Sequence, residues 1–238
     1  MRDIVIASLA TLVLILSLSG CETTPKKIPL DPSFSKSKEV RIGVALVKYP
    51  VGGFYKSGPQ GLLDLLINTS LAGGLDAYLQ KINPNEFDEV QNDYVKKLQD
   101  HGFSVKRIDD RIDLEQFPKS KANDLFEYDL RSLSSKYDID FLLLVTVQRF
   151  GTLRPYYGFI PTGDPKGLFQ AAGQLINLKN NELEWQVFMG ENNSIMAVDG
   201  QWEQPPDYPN VTSAIQRAEK NAEFFLETQF FMGIEGGN

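Results

Sequence analysis

Phe141-Leu142-Leu143-Leu144-Val145-Thr146-Val147 is the stretch of sequence that decides the fold. A strand with one face in water alternates apolar and polar residues, whereas this stretch is apolar on both faces. A strand of this kind lies in the middle of a sheet, where other layers cover it on both sides. We therefore predict a central strand over these residues.

The elements upstream of this strand alternate between strand and helix. Val40–Val47 predicts a strand with one strongly buried face, and Phe103–Ile108 predicts a short strand. Three helical regions are predicted from apolar spacing: Leu62–Ile82 with a bend at Gly73-Gly74, a helix through Phe87, Val90, Tyr94 and Leu98 that ends at Gly102, and a helix through Phe126, Leu130, Leu133 and Tyr137. This order favours a layered arrangement with right-handed crossovers.

The elements downstream change in character. Leu168–Leu178 and Leu183–Met189 flank a polar turn and predict a hairpin, which Ile195–Trp202 extends to a meander. A long helix from about Ser213 to Phe231 closes the chain. The predicted fold class is α/β to α+β: one mixed β-sheet of about five or six strands with helices packed on it, a C-terminal meander and a closing helix.

The N-terminus predicts export and attachment to a membrane. An uncharged apolar stretch, Ile4–Leu18, is shorter than the roughly twenty residues that an untilted membrane-spanning helix needs. It leads into Leu18-Ser19-Gly20-Cys21, with small residues before the cysteine, as signal-peptide cleavage requires. This tetrapeptide resembles the lipobox of bacterial lipoproteins. The resemblance implies that Cys21 receives a diacylglycerol thioether, and that the chain is cut before Cys21 and acylated on the new amino group.

The residue after Cys21 bears on which membrane holds the protein. In the Gram-negative families that this motif resembles, Asp at that position favours the inner membrane, and other residues favour the outer membrane. Glu22 stands there, so the resemblance implies the periplasmic face of the outer membrane. In a source with one membrane, the same anchor would place the domain outside it. An ordinary secretory signal is the alternative, and it would leave an unpaired thiol at the mature N-terminus.

Three segments follow from these patterns: a signal peptide over 1–20, a lipidated N-terminus and disordered tether over 21–38, and a single globular domain over 39–234. Pro25, Pro29 and Pro32 interrupt the tether, and no apolar period survives in it. Fully extended, the tether would reach roughly 50–60 Å. The domain would then work some distance from the bilayer.

Composition excludes several classes of function. The chain is 42% hydrophobic and 11% aromatic, as in a globular protein, and its formal net charge is -7. An acidic surface opposes binding to nucleic acid and offers no attraction to anionic lipid head groups. Cys21 is the only cysteine, so the folded domain has no disulfide and no cysteine-based metal site.

No catalytic, metal or cofactor site is predicted. The glycine-rich loop Gly52–Gly61 lacks both phosphate-loop patterns. The only histidine, His101, stands at a predicted helix end, where its imidazole can bond the last carbonyl groups of the helix or interact favourably with the helix dipole. The spacing of the remaining candidates matches no calcium loop and favours solvated turns: Asp109, Asp110, Asp113, Asp138 and Asp140.

The segment Arg154–Gly167 is the strongest candidate for a binding surface. It joins two predicted strands with more residues than a hairpin needs, and such loops are often functional. Its aromatic and arginine residues are of the kinds that protein interfaces favour. The predicted partner-binding residues are Arg154, Tyr156, Tyr157, Phe159 and Ile160, together with Phe54 and Tyr55 from the glycine-rich loop. A loop folded over the domain's own core is the alternative, and the bend Trp202–Pro209 is interpreted as a rigid corner.

The lipobox, the proline-rich tether and the order of elements together resemble bacterial envelope lipoproteins of the curli-secretion type and the lipoprotein activators of penicillin-binding proteins. The resemblance implies a non-catalytic assembly or interaction module that is held in the membrane through Cys21 and binds an envelope protein or assembles with itself. A binding protein for a small envelope ligand, such as a glycan fragment or a lipid, is the alternative and predicts a closed apolar pocket. An envelope hydrolase built on His101 or on a carboxylate pair is a third possibility.

Overall fold

The computed structural model describes residues 26–59, 73–121 and 125–236. The strands are β1 (Arg41–Leu46), β2 (Gly53–Ser57), β3 (Ser104–Arg107), β4 (Phe141–Tyr157), β5 (Ile160–Pro161), β6 (Lys166–Asn177), β7 (Glu182–Phe188) and β8 (Ile195–Met196). The helices are α1 (Gly73–Leu79), α2 (Glu89–Asp100), α3 (Ser132–Tyr137), α4 (Glu191–Ser194) and α5 (Pro209–Glu235). Short 3₁₀ segments are Pro32–Lys36, Asn85–Asp88 and Leu114–Gln116.

The predicted signal segment and Cys21 lie outside these described ranges, so lipidation stays a prediction. Most of the predicted helix Leu62–Ile82 also lies outside the described ranges, and the part that is described contains α1. Within the three described ranges, no helix combines the length and the apolar character needed to cross a bilayer.

The strands form one mixed sheet with β4 at its centre. The main strand order is β3-β1-β4-β6-β7, with β2 and β5 also paired to β4 and β8 paired to β6. β1 runs parallel to β3 and β4, while β4, β6 and β7 are antiparallel neighbours. Leu143 lies between Val44 and Leu175 across the two ladders. The prediction of one mixed sheet with packed helices and a closing helix is confirmed, with eight strands in place of five or six because β2, β5 and β8 add short pieces.

Alternate residues of β4 enter two separate cores. Leu143 and Val145 pack into the cluster that holds side chains of α2 and α5. Leu142 and Leu144 pack on the opposite face, in the cluster that holds the residues around α3. Burying each such leucine stabilises the fold by about 1.5–3 kcal/mol, which explains why no polar residue interrupts this part of the strand.

The helix α2 ends as the sequence predicts. Its C-cap is His101, and Gly102 follows with φ +83°. Glycine adopts this left-handed conformation at little cost, and the Gly102 N–H donates to the Gln99 carbonyl at 2.8 Å. The chain then turns directly into β3.

The predicted helix through Phe126 and Tyr137 is wrong over its first half, because only Ser132–Tyr137 is helical. The cause is Asn181, which lies in the β6–β7 turn with φ +65° and is 1% exposed. Its side-chain amide donates to the Phe126 and Tyr128 carbonyls at 3.2 and 2.9 Å and so holds this segment extended. A residue far along the chain therefore overrides the helical spacing.

The predicted hairpin is present as β6 and β7, but the predicted third strand of the meander is wrong in length and in partner. Only Ile195–Met196 is extended, and it pairs with Gly167 and Leu168 of β6 instead of with β7. The short helix α4 returns the chain to the part of β6 that β7 does not cover.

Much of the predicted tether instead packs on the domain. Ile28 exchanges two backbone hydrogen bonds with Gln186 of β7, both at 2.9 Å. Leu30 and Phe34 are 6% and 7% exposed and belong to the main core. Lys27 donates to the Gln229 side chain of α5 at 2.5 Å. Burial of these two apolar side chains stabilises the packing of this segment on the domain, which its proline-rich composition did not predict. The folded domain therefore begins before residue 39.

Candidate functional site

The predicted binding loop Arg154–Gly167 is mostly strand and tight turn. β4 continues to Tyr157, and Tyr157 pairs with Ile160 across a two-residue turn. Pro155 lies within this strand although proline cannot donate a hydrogen bond. The ladder with β6 ends at Leu153, so Pro155 removes no bond from it, and its carbonyl accepts from the Thr162 N–H at 3.0 Å.

The strand β2 brings the two predicted clusters together. It runs parallel to β4 and places Phe54 beside Thr152 and Tyr55 beside Leu153. Gly151 has φ +129°, and a side chain there would run into the Gly53 backbone, so glycine is needed where the strands approach. Phe54 and Tyr55 thus lie next to the strand that carries the other predicted partner-binding residues.

The predicted aromatic residues divide into an exposed group and a buried one. Tyr157, Phe159 and Ile160 are 71%, 53% and 55% exposed, and we call these three residues the tip. Tyr156 is 4% exposed and packs inward. Tyr156 is therefore part of the support for the tip and not part of its surface, which corrects the sequence-based assignment.

Three cations lie against aromatic rings on and beside β2 and β4. Arg154 donates to the Gly163 carbonyl at 2.9 Å, and its guanidinium lies 4.9 Å from the Trp202 ring centre. The Lys56 ammonium lies 5.3 Å from the Tyr156 ring, and Arg149 lies 5.4 Å from the Tyr55 ring. Burial lowers the pKa of Lys56. Each such contact contributes about 0.5–2 kcal/mol and holds the cation against an aromatic face.

Trp202 is a residue of this site that the sequence interpretation missed. Its bend was interpreted as a rigid corner, with no link to the segment that begins at Arg154. The proline-rich composition supported that interpretation, and only the pairing of a tryptophan with a basic residue elsewhere in the chain could have suggested the contact.

The remaining sequence candidates have structural partners. His101 bonds the Lys97 carbonyl through Nδ1 at 2.7 Å and stacks on Phe231 at 5.5 Å. Arg41 binds both Asp138 and Asp140. No cluster of three or more His, Cys, Asp or Glu side chains suited to a metal ion occurs in the described ranges.

The other three aspartates are also paired, each with a basic side chain nearby. Asp109 pairs with Arg107, Asp110 with Lys136 and Asp113 with Lys48. The sequence interpretation of these aspartates as turn and surface residues agrees with their positions.

A buried carboxylate, Glu219, was not singled out from the sequence. It is 4% exposed, on the face of α5 that carries Ile215 and Ala222, and it lines an open cavity of about 280 Å³. Burial and the nearby carboxylates of Glu223, Glu86 and Asp88 raise its pKa to about 7, against a smaller lowering by the Phe87 N–H. The available signal was its helical spacing from two apolar residues that are buried, Ile215 four positions before it and Ala222 three positions after it.

The raised pKa makes the stability of the protein depend on pH. Between about pH 4.5 and 7 the folded state keeps the Glu219 proton while the unfolded state releases it, so stability falls as pH rises through this window. We expect the loss to reach about 2–3 kcal/mol at pH 8. Glu219→Gln should reduce this decline, leaving the part that Glu223 contributes through its own raised pKa of about 7, and should stabilise the protein at pH 8 but not at pH 4.5, as urea denaturation across the pH range would measure. A decline of equal size in the variant would contradict this assignment.

Comparisons with known proteins identify solved structures only. No protein-family model matches the chain. No curated protein matches it either.

The solved structures that resemble this chain include three bacterial proteins. A lipoprotein from Neisseria meningitidis is 17% identical with a TM-score of 0.26, covering 76% of this chain and 99% of its own. A protein from Helicobacter pylori, provisionally described as a neuraminyllactose-binding hemagglutinin homolog, is 10% identical with a TM-score of 0.37, covering 87% and 90%. A hypothetical protein from Chlamydia trachomatis is 10% identical with a TM-score of 0.36, covering 80% and 98%. Because identities and TM-scores are this low, these likenesses say nothing about what this chain binds.

Proposed function

We propose that this protein is an envelope lipoprotein, anchored in the outer membrane through Cys21, that acts as a non-catalytic assembly module and binds an envelope protein through its tip. The observation that carries the proposal is the exposure of three large apolar side chains, Tyr157, Phe159 and Ile160, at one end of the sheet. The sequence resemblance to lipoproteins of the curli-secretion type and to lipoprotein activators of penicillin-binding proteins supports this proposal.

The surroundings of the tip suit a protein partner. Exposed aromatic residues next to arginine are characteristic of the residues that dominate binding energy at interfaces. The tip stands on a paired turn between β4 and β5 and beside β2, so its backbone is ordered before binding. An ordered surface loses less conformational entropy on association than a flexible loop.

The packed N-terminal segment supports a defined orientation. Lys26 stands five positions after Cys21, a reach of roughly 18 Å at most, in place of the longer reach of a free tether. Lys27 contacts Gln229 near the C-terminal end of α5. A lipid on Cys21 would therefore hold that end of the domain close to the bilayer.

The tip lies at the opposite end of the domain. The beginning of α5, at Ala214, packs against Gly167, which pairs with Thr152 at the end of the β4–β6 ladder that faces the tip. Leu226, one turn before Gln229, lies beside Gly173 further along β6. The strand and the helix run in the same direction, so a membrane at the Lys27 end leaves the tip directed away from the lipid and accessible to a partner.

The tip residues give a direct test. A photo-reactive amino acid at the exposed position Thr162 should cross-link an envelope protein in intact cells. We expect the double substitution Tyr157→Ala with Phe159→Ala to weaken this capture by about ten- to a hundred-fold, since buried aromatic anchors each contribute more than about 1 kcal/mol. Tyr156 is left intact because it is buried.

Phe224→Ala provides the matched control. Phe224 is 70% exposed, like Tyr157, but it lies on α5 away from the tip. Capture that persists in the double variant, or that falls equally in the control, would contradict the proposed role of the tip. A cross-linked product made of two copies of this chain would assign the tip to self-assembly.

A further inference from the structure

A cavity of about 280 Å³ beside α5 has a carboxylate in its wall that lacks a full set of partners. Its apolar wall is formed by Ile82, Pro84, Phe150 and Ile215. The Oε1 atom of Glu219 is buried in that wall and accepts no hydrogen bond from any residue in the described ranges. A buried charged group without a partner is destabilising, so a ligand that donates to this oxygen would be favoured.

A second cavity of about 380 Å³ adjoins the first and offers the opposite charge. The two cavities share Ile82, Asn83, Pro84 and Phe150 in their walls. Arg111 lines the second cavity, and its Nη1 atom is buried and donates to nothing among the residues that the structure describes.

The position of Arg111 is held by two neighbours. Its guanidinium lies 3.7 Å from the Tyr49 ring centre, and its Nη2 donates to Asp88 at 2.5 Å. The Tyr49 hydroxyl donates to the same Asp88 carboxylate at 2.7 Å. These contacts orient the other terminal nitrogen, Nη1, and a ligand that binds Nη1 would not need to break them.

The two ends of this groove differ in charge, while its middle is apolar. Glu86 lies with Glu219 in the wall of the first cavity, and Lys81 lies with Arg111 in the wall of the second. Phe150 contributes to both walls. A molecule that matches the groove carries an ammonium at one end, an anionic group at the other and an apolar body between them.

We propose that the two cavities form one binding groove for a small zwitterion, of the class of short peptides with free termini, whose ammonium donates to Glu219 and whose carboxylate accepts from Arg111. The combined size falls in the range of small-molecule sites in proteins. The groove shares no residue with the tip, so this inference is independent of the proposed partner function.

The dipeptide leucyl-leucine is a suitable probe, with its N-acetylated and C-amidated forms as matched analogues. We expect titration calorimetry on the full chain to show binding of the free dipeptide and at least about ten-fold weaker binding of each analogue, because N-acetylation leaves Glu219 Oε1 and C-amidation leaves Arg111 Nη1 without the charged partner that the free dipeptide supplies. Absence of binding of the free dipeptide, or equal affinities for all three forms, would overturn the proposal.

Two variants separate Glu219 from general effects of charge. Glu219→Gln should bind the free and the N-acetylated dipeptides with equal affinity, because the carboxylate that distinguishes them is gone. Glu223→Gln is the control, since Glu223 lies one turn further along α5, has a pKa raised to about 7 by burial and neighbouring carboxylates, and does not line the first cavity. Preserved discrimination in Glu219→Gln, or its loss in Glu223→Gln to the same extent, would contradict the assignment.

Discussion

Phe34→Ala is expected to lower the free energy of unfolding by about 3 kcal/mol, although Phe34 lies in a segment whose composition is typical of a tether. The side chain is 7% exposed, and its ring lies 5.5 Å from the Phe103 ring and 5.4 Å from the Phe141 ring. Substitution removes both aromatic contacts and leaves a cavity beside the central strand. Urea denaturation of the purified chain would measure the change.

The same 3₁₀ segment contains the control for this prediction. Lys36 is exposed, so Lys36→Ala should change the free energy of unfolding by no more than about 0.5 kcal/mol. If both variants are as stable as the original chain, the N-terminal segment is a free tether in solution. In that case the proposed closeness of the domain to the bilayer is lost with it.

Phe230→Ala is expected to lower the free energy of unfolding by about 3–5 kcal/mol. Phe230 is fully buried and joins three elements, with ring centres 4.9 Å from Trp185 of β7 and 5.7 Å from Tyr94 of α2. Among the aromatic side chains of α5 in the described ranges, no other one pairs with both rings at these distances. The loss of stability should appear in urea denaturation, and the loss of packing around Trp185 should appear in the near-ultraviolet circular dichroism spectrum.

Phe224→Ala tests whether this effect depends on burial or only on the type of residue. Phe224 lies on the same helix and is 70% exposed, so its replacement should cost no more than about 0.5 kcal/mol. Equal losses at the two positions would mean that α5 does not pack on the sheet through the face that carries Phe230.

The strongest sequence signals were those that repeat over a short distance. The apolar run Phe141–Val147 predicted a strand in the sheet centre, and the turn between Leu178 and Leu183 predicted the β6–β7 hairpin. The Gly102 position predicted the end of α2. Each of these patterns lies within one or two elements, where local backbone preference and the pattern of burial act together.

The candidate site was predictable in composition but not in form. Phe54, Tyr55 and the aromatic residues after Arg154 were selected from sequence, and β2 brings them together. The sequence could not show that Tyr156 points inward and Tyr157 outward, because that depends on the register of β4 beyond its ladder with β6. Glu219 was missed because its burial depends on the packing of the segment around Glu86 over α5.

By itself the sequence determined a central strand, a hairpin and a closing helix, because hydrophobic periodicity is a local property of the chain. Only the tertiary structure decided that the N-terminal segment packs on the core and that β2 joins β4. Those outcomes depend on contacts such as Phe34 with Phe141 and Phe54 with Thr152. Residues about a hundred positions apart meet only when the whole sheet forms, and no local pattern records which of them will do so.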